Sequence, residues 1–193
     1  MDEDVRIDYE NGYYVGTVLE DGVTENGLGM FIWNTGESYV GYFLNGVRTG
    51  RGTFRWPDGK VYEGDFLDDT RSGHGKLKWP AGDVYEGDFV NGIFHGKGRL
   101  TWANGESYEG DFVNGKMEGM GVHYAADGSV IYSGEWIQGC PMTAEEGRIR
   151  LLFSGTVHPT RGGVIYAAVR RTSHVCRPPP GCAVRVSHVR PSA

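Results

Sequence analysis

The residues of this chain that could do chemistry are a series of Gly-x-Gly pairs, a set of closely spaced carboxylates and a few histidines and cysteines. Gly-x-Gly falls at Gly27/Gly29, Gly50/Gly52, Gly73/Gly75, Gly96/Gly98 and Gly119/Gly121. Such a pair cradles a phosphate when it follows a strand and opens a helix. Copies at one fixed spacing, none leading into a helical pattern, read as structure instead. Glu63/Asp65, Glu86/Asp88 and Glu109/Asp111 offer oxygen ligands of the kind calcium takes. With Lys76, Lys78 and Arg99 expected on the adjacent strand, they read as solvated cross-strand ion pairs. His74, His95 and His123 stand at three different positions of the pattern described next, and His174, Cys176, Cys182 and His188 lack the spacing of a zinc site. No nucleophile, base and orienting group can be assembled. The expectation is a non-enzyme with no catalytic residue, no cofactor and no metal.

What positions these residues is a repeat. Tyr62-Glu63-Gly64-Asp65-Phe66 returns as Tyr85-Glu86-Gly87-Asp88-Phe89 and as Tyr108-Glu109-Gly110-Asp111-Phe112, with looser copies from Tyr39 and Tyr132. Trp33, Trp56, Trp79 and Trp102 each follow the second glycine of a pair by the same interval. A fixed period of this size marks a repeat array, in which each unit needs its neighbours to bury its apolar face.

Each unit has the residue choice of a β-hairpin. Side chains alternate along a strand, so Tyr62, Gly64 and Phe66 share one face while Glu63 and Asp65 share the other. Gly75, Leu77 and Trp79 likewise oppose Lys76 and Lys78. Asn45-Gly46, Asn91-Gly92 and Asn114-Gly115 supply turn residues that tolerate positive φ, and Asp58-Gly59 and Asn104-Gly105 are expected to do the same at the other end of the unit. Stacked units would align Tyr39, Tyr62, Tyr85 and Tyr108 with Trp33, Trp56, Trp79 and Trp102 in one structural aromatic ladder. The predicted fold class is all-β: an elongated single-layer array of stacked antiparallel hairpins.

Tyr-Glu-Gly-Asp-Phe-x-Asn-Gly, then Gly-x-Gly-x-Leu-x-Trp, then Asp/Asn-Gly, resembles the MORN repeat over about two thirds of the chain. The resemblance implies a twisted ribbon of hairpins acting as a scaffold. Such arrays occur in proteins of junctional membranes, the cytoskeleton and cilia, sometimes attached to a catalytic domain. The family name records a membrane role, while many members resemble protein-binding platforms. A protein partner, as a helix or an extended peptide along the ribbon, is therefore the first expectation, and anionic phospholipid the alternative.

Composition and charge sharpen this. The start, Met1-Asp2-Glu3-Asp4, is acidic where a secretory signal would be basic. The longest apolar stretch, residues 164–169, is far too short to span a bilayer. Three cysteines do not make a disulfide framework. A cytoplasmic protein, associated with cytoskeleton or cilium, is the expectation. Residues 1–142 hold 11 Lys and Arg against 23 Asp and Glu, a formal −12, whereas residues 143–193 hold 8 arginines against 2 glutamates. An acidic array repels anionic lipid. The chain therefore divides into an amino-terminal segment, 1–13, a repeat array over 14–142 with five repeats and a partial sixth, and an Arg- and Pro-rich tail, 143–193. The tail reads as mostly disordered, with a candidate strand over 164–169, and its composition suits an alternative carboxy terminus of a longer protein. Its dispersed arginines lack interleaved aromatics, so no nucleic-acid partner is expected.

The departures from the repeat lie at its two ends. Where the middle repeats place charge, the first two place Val15, Met30, Ile32, Val40 and Tyr42. Two readings stand: a face covered by residues 1–13 through Val5, Ile7 and Tyr9, or a partner-binding patch. In the fifth repeat His123 and Ala125 replace Leu77 and Trp79, and an extra residue precedes Tyr132. A one-residue strand slip there would return Tyr124 to the aromatic face.

Overall fold

The structure, a computed structural model, describes residues 4–145 and 148–151. They form a single sheet of fourteen antiparallel strands in strict chain order. The strands are β1 (Val5–Tyr9), β2 (Gly12–Val18), β3 (Glu25–Trp33), β4 (Ser38–Leu44), β5 (Val47–Arg55), β6 (Val61–Leu67) and β7 (Thr70–Lys78). They continue with β8 (Val84–Val90), β9 (Ile93–Thr101), β10 (Ser107–Val113), β11 (Lys116–Tyr124), β12 (Val130–Ile137), β13 (Cys140–Glu145) and β14 (Arg148–Leu151). The last two carry the sheet past the expected array boundary at 142. Residues 143–145 and 148–151 of the tail expected to be disordered are thus strand, while the rest of that tail, with the candidate strand over 164–169 and His174, Cys176, Cys182 and His188, lies outside the described residues.

Two kinds of turn join the strands. At Asn45-Gly46, Asn91-Gly92 and Asn114-Gly115 both residues take positive φ, the asparagines near 50°, which matches the twist of the flanking strands. Asp68 and Asp69 hold the same conformation at φ 46° and 63° without a glycine. Each of these turns is stitched to the previous one: the amides of Gly46, Asp69, Gly92 and Gly115 donate to the carbonyls of Glu25, Arg48, Arg71 and Phe94. At the opposite edge only the glycine, as in Gly59 and Gly105, takes positive φ. The aspartate and asparagine before them stay in ordinary conformation, because the amides of Trp56 and Trp102 close this loop on Lys60 and Glu106.

The core is one row of rings. Tyr14, Tyr39, Tyr62, Tyr85 and Tyr108 are fully buried, with Phe43, Phe66, Phe89 and Phe112 packed edge-on between them. Tyr62 meets Phe66 of its own unit and Phe89 of the next at ring distances of 5.2 and 5.1 Å, so no unit completes its core alone. Each tyrosine lies flat over a glycine pair, and a Cβ at Gly52 or Gly75 would collide with the ring of Tyr39 or Tyr62. The buried hydroxyls donate to the carbonyl three residues on, Tyr62 to Asp65 at 2.8 Å and Tyr85 to Asp88 at 3.0 Å. That carbonyl is freed by a bulge beside the glycine pair, which explains tyrosine rather than phenylalanine at this position. Trp33, Trp56, Trp79 and Trp102 are only half-buried and pack against this core from the strand ends. The positions expected to hold rungs equal to the tyrosines are filled by Phe31, Phe54, Leu77 and Leu100, which pair directly with them.

Candidate partner-binding groove

The register lines up the opposite face in rows that cross the whole sheet. One row runs Arg6, Val15, Met30, Val40, Thr53, Glu63, Lys76, Glu86, Arg99, Glu109, Val122, Ser133. A parallel row brings Leu28 against Tyr42, Arg51 against Asp65, His74 against Asp88, Lys97 against Asp111 and Met120 against Glu135. This face curls into a trough: one cavity of about 1060 Å³ is lined from His74 to Ser133, and a second of about 490 Å³ runs from Leu28 to Glu86. The two share His74, Lys76 and Glu86, so the trough is continuous.

Its middle is ionic. Lys76 meets Glu86 at 2.7 Å, Lys97 meets Asp111 at 2.5 Å, and Arg51 lies 3.7 Å from Asp65. Glu63 reaches diagonally to Lys78 at 3.4 Å. The Lys76 ammonium holds the Glu86 carboxyl below its ordinary value. Asp65 and Asp88 also accept the backbone amides of His74 and Lys97 across the bulge. These carboxylates are thus committed to lysines, arginine and amides. Among the described residues no group of three or more His, Cys, Asp or Glu is placed to hold a metal ion.

The amino-terminal end of the trough is apolar and open. Val40 and Tyr42 keep 51% and 47% of their surface, and Leu28, opposite Tyr42, keeps 56%. Met30, Ile32 and Val15 are half-buried on the same face. Residues 4–13 do not cover it. β1 instead adds one more strand at the sheet edge, and Ile7 and Tyr9 turn to the opposite face, where Tyr9 stacks on Phe31 at 5.5 Å. From β1, Arg6 and Asp8, opposite Val15 and Tyr13 and paired with each other at 2.7 Å, face the trough side, with Arg6 lying over Tyr13. The reading of this segment as a lid over Met30, Ile32, Val40 and Tyr42 is therefore corrected: β1 caps an edge, and none of the described residues covers the face. Leu28 escaped the sequence reading although its signal was present, since the middle residue of Gly-x-Gly is Arg51, His74 and Lys97 in the next three repeats.

At the far end Met120, Val122 and Tyr124 make a second apolar stretch. The slip suggested for the fifth repeat does not occur. A bulge between His123 and Tyr124 absorbs the extra residue and keeps Tyr124 on the trough face, opposite Ser107. His123 enters the core row between Tyr108 and Tyr132 and pairs with Glu106 at 3.1 Å.

Residues 39–61, 62–84, 85–107 and 108–130 each match the model of the MORN repeat. This is a MORN-repeat protein. Each matched MORN unit opens on a buried tyrosine of the core row, and the strands β1 to β3 and β12 to β14 extend the same sheet beyond the matched residues. A search among curated proteins finds no match to the chain. MORN repeats commonly serve as non-enzymatic protein or membrane interaction modules, and an open single-layer array with a continuous trough fits a scaffold role.

Proposed function

We propose that this MORN array is a non-enzymatic scaffold that takes a helical or extended segment of a protein partner along the trough, with Val15, Leu28, Met30, Ile32, Val40 and Tyr42 as its apolar anchor. The observation that carries this reading is that an exposed apolar cluster spans β3 and β4 on a face whose middle is ion-paired. Apolar contacts at such a site supply affinity, while the ionic middle sets orientation and register. From β4 to β11 the trough runs about 34 Å at the usual spacing between strands, the length of a helix of about 22 residues. A segment apolar at both ends and charged between them would match it. The cytoplasmic setting, in a cytoskeletal or ciliary assembly, rests on where proteins with such arrays act.

The second reading is a membrane-surface tether binding anionic phospholipid, favoured only by the other common role of these repeats. The formal −12 of residues 1–142 opposes approach to an anionic surface. One pair of assays separates the two. Affinity capture with the wild-type chain and with Ile32→Asp/Tyr42→Asp, folding of both checked by circular dichroism, should recover a partner on the wild type alone. Flotation with phosphatidylserine vesicles should leave both in solution. Retention of the partner by the double variant would remove the apolar anchor, and vesicle binding abolished by that variant would favour the tether.

A further inference from the structure

One position on the aromatic face changes character along the array. It is held by Arg48 in β5, Arg71 in β7, Phe94 in β9 and Met117 in β11, each paired with the core phenylalanine of the preceding strand. Phe94 closes its site by stacking on Tyr85 at 3.7 Å. The two arginines leave theirs open, and a cavity of about 370 Å³ lies between them, floored by Phe54, Trp56 and Phe66.

The two guanidinium groups are provided for differently. Arg48 lies over four rings and is bound by the turn residue of the next repeat. Its Nε donates to the Asp69 carboxylate at 2.6 Å, its Nη2 to the Asp69 carbonyl at 3.1 Å, and its amide to the same carboxylate at 3.1 Å. Arg71 lies over Trp56, Tyr62 and Phe89, 5.7 Å from each ring, and makes the equivalent carbonyl contact, Nη2 to Gly92 at 2.8 Å. Glycine at 92 brings no carboxylate. Arg71 has no ion-pair partner among the described residues, although it is half-buried. None of its free N–H groups is sealed from solvent, since among the described residues no buried side-chain nitrogen or oxygen lacks a partner.

We infer that Arg71 and the aromatic floor beside it form a receiving site for the carboxylate of an aspartate or glutamate in an extended partner peptide, taking the place that Asp69 fills for Arg48. A planar guanidinium with free N–H groups matches a carboxylate through two parallel hydrogen bonds. Phe54 and Trp56 offer apolar contact to the residue next to it. One uncompensated positive charge suits a monoanion, whereas a phosphate dianion would meet the Asp69 carboxylate on the rim with no second free cation among the residues that line the cavity; the nearby Lys60 lies over Trp56 and faces Asp58 at 4.0 Å. The net negative charge of the array likewise selects a single acidic residue among apolar ones over an acidic run. This site lies on the face opposite the trough and does not depend on the trough's role.

The test uses the full chain and a blocked Glu-Leu dipeptide, followed by NMR at the Arg71 Nε–H and the Trp56 indole, with blocked Gln-Leu as the neutral control and inorganic phosphate as the competing anion. Glu-Leu should shift both signals saturably and bind about tenfold more tightly than Gln-Leu, the worth of a charge-assisted hydrogen bond. Gly92→Asp should abolish the shift by supplying the carboxylate internally. Asp69 already holds this backbone conformation, and a Cβ at Gly92 would sit 3.5 Å from Arg71 Nη2 with nothing closer. Arg71→Gln should abolish it too. Should that variant fail to fold, Gly92→Asp decides alone. Equal binding of Glu-Leu and Gln-Leu, tighter binding of phosphate than of Glu-Leu, or an undiminished shift in Gly92→Asp would overturn the site.

Discussion

The amino-terminal and carboxy-terminal halves of this array share one backbone and one core row but exchange the character of their two faces. From β2 to β4 the trough face is apolar, with Leu28, Met30, Val40 and Tyr42, while from β5 to β10 it is an ionic lattice that includes Arg51, Asp65, Lys76, Glu86, Asp88, Lys97 and Arg99. On the aromatic face the order reverses, with Arg48 and Arg71 in the first half and Phe94 and Met117 in the second. A repeat whose tyrosine, glycine pair and phenylalanine are fixed by packing can therefore vary the remaining positions without touching its stability core. The two halves are one scaffold carrying two different surfaces.

The first way to break this comparison is to attack the row both halves are said to share. Tyr39→Ala and Tyr85→Ala should each cost about 3–5 kcal/mol, because each deletes a fully buried ring between two phenylalanines and strands a hydrogen-bonding carbonyl. Trp79→Ala, at a half-buried strand end, should cost less, about 2 kcal/mol. Denaturant unfolding measures all three. A tryptophan loss as large as the tyrosine losses would return the ladder to the tryptophans, and a large difference between the tyrosines would divide the core.

The tyrosine hydroxyls sharpen the comparison through pH. Burial pushes Tyr39 and Tyr62 up to about 12, with Asp69 and Asp65 adding to it and Arg48 and Arg71 pulling the other way. Burial pushes Tyr85 and Tyr108 higher still, where Asp88 and Asp111 add to it and no arginine opposes. The folded state holds these protons more tightly than the unfolded chain, whose tyrosines titrate near 10.0. Stability is thus fully present below pH 10 and is lost as pH rises from 10 towards 12. Melting temperature followed from pH 9 to 12 should fall over that window. Tyrosinate absorbance, resolved by Tyr→Phe variants, should show the amino-terminal tyrosines ionising first.

How much of this was legible follows from what the sequence repeats. The period, the hairpins, the Asn-Gly turns and the alternation of faces are local signals written several times, and the all-β stacked array came from them directly. The tryptophans were misplaced as full rungs because spacing gives the face of a residue but not its depth. Trp56, Trp79 and Trp102 fall just past the strand ends, beside the loops that their amides close. The lid over the apolar patch failed for a related reason. The open edge of β2 presented unpaired amides and carbonyls, and pairing them by a strand is stronger than laying a segment across a face. The apolar patch was visible as a departure from the repeat, whereas Arg71 was not. Nothing in the sequence distinguishes it from Arg48 until the register sets Asp69 beside one and Gly92 beside the other.

The smallest expected effect is the most discriminating for the two arginines. Asp69→Gly removes the carboxylate that binds Arg48, an ion pair with one partner half-exposed, worth about 0.5–1 kcal/mol. It also relieves a non-glycine residue held at φ 63°, a gain of about 1 kcal/mol. The two terms oppose each other, so the variant should unfold within about 1 kcal/mol of wild type in denaturant. If Asp69 were retained for stability, its loss should cost clearly more than that, and the difference between Arg48 and Arg71 would reduce to one well-made and one poorly made strut. Near-neutral stability would instead mean that the aspartate is kept at a conformational cost that its ion pair only just offsets. Its role would then be to close the Arg48 guanidinium to outside carboxylates while its neighbour one repeat on is left open.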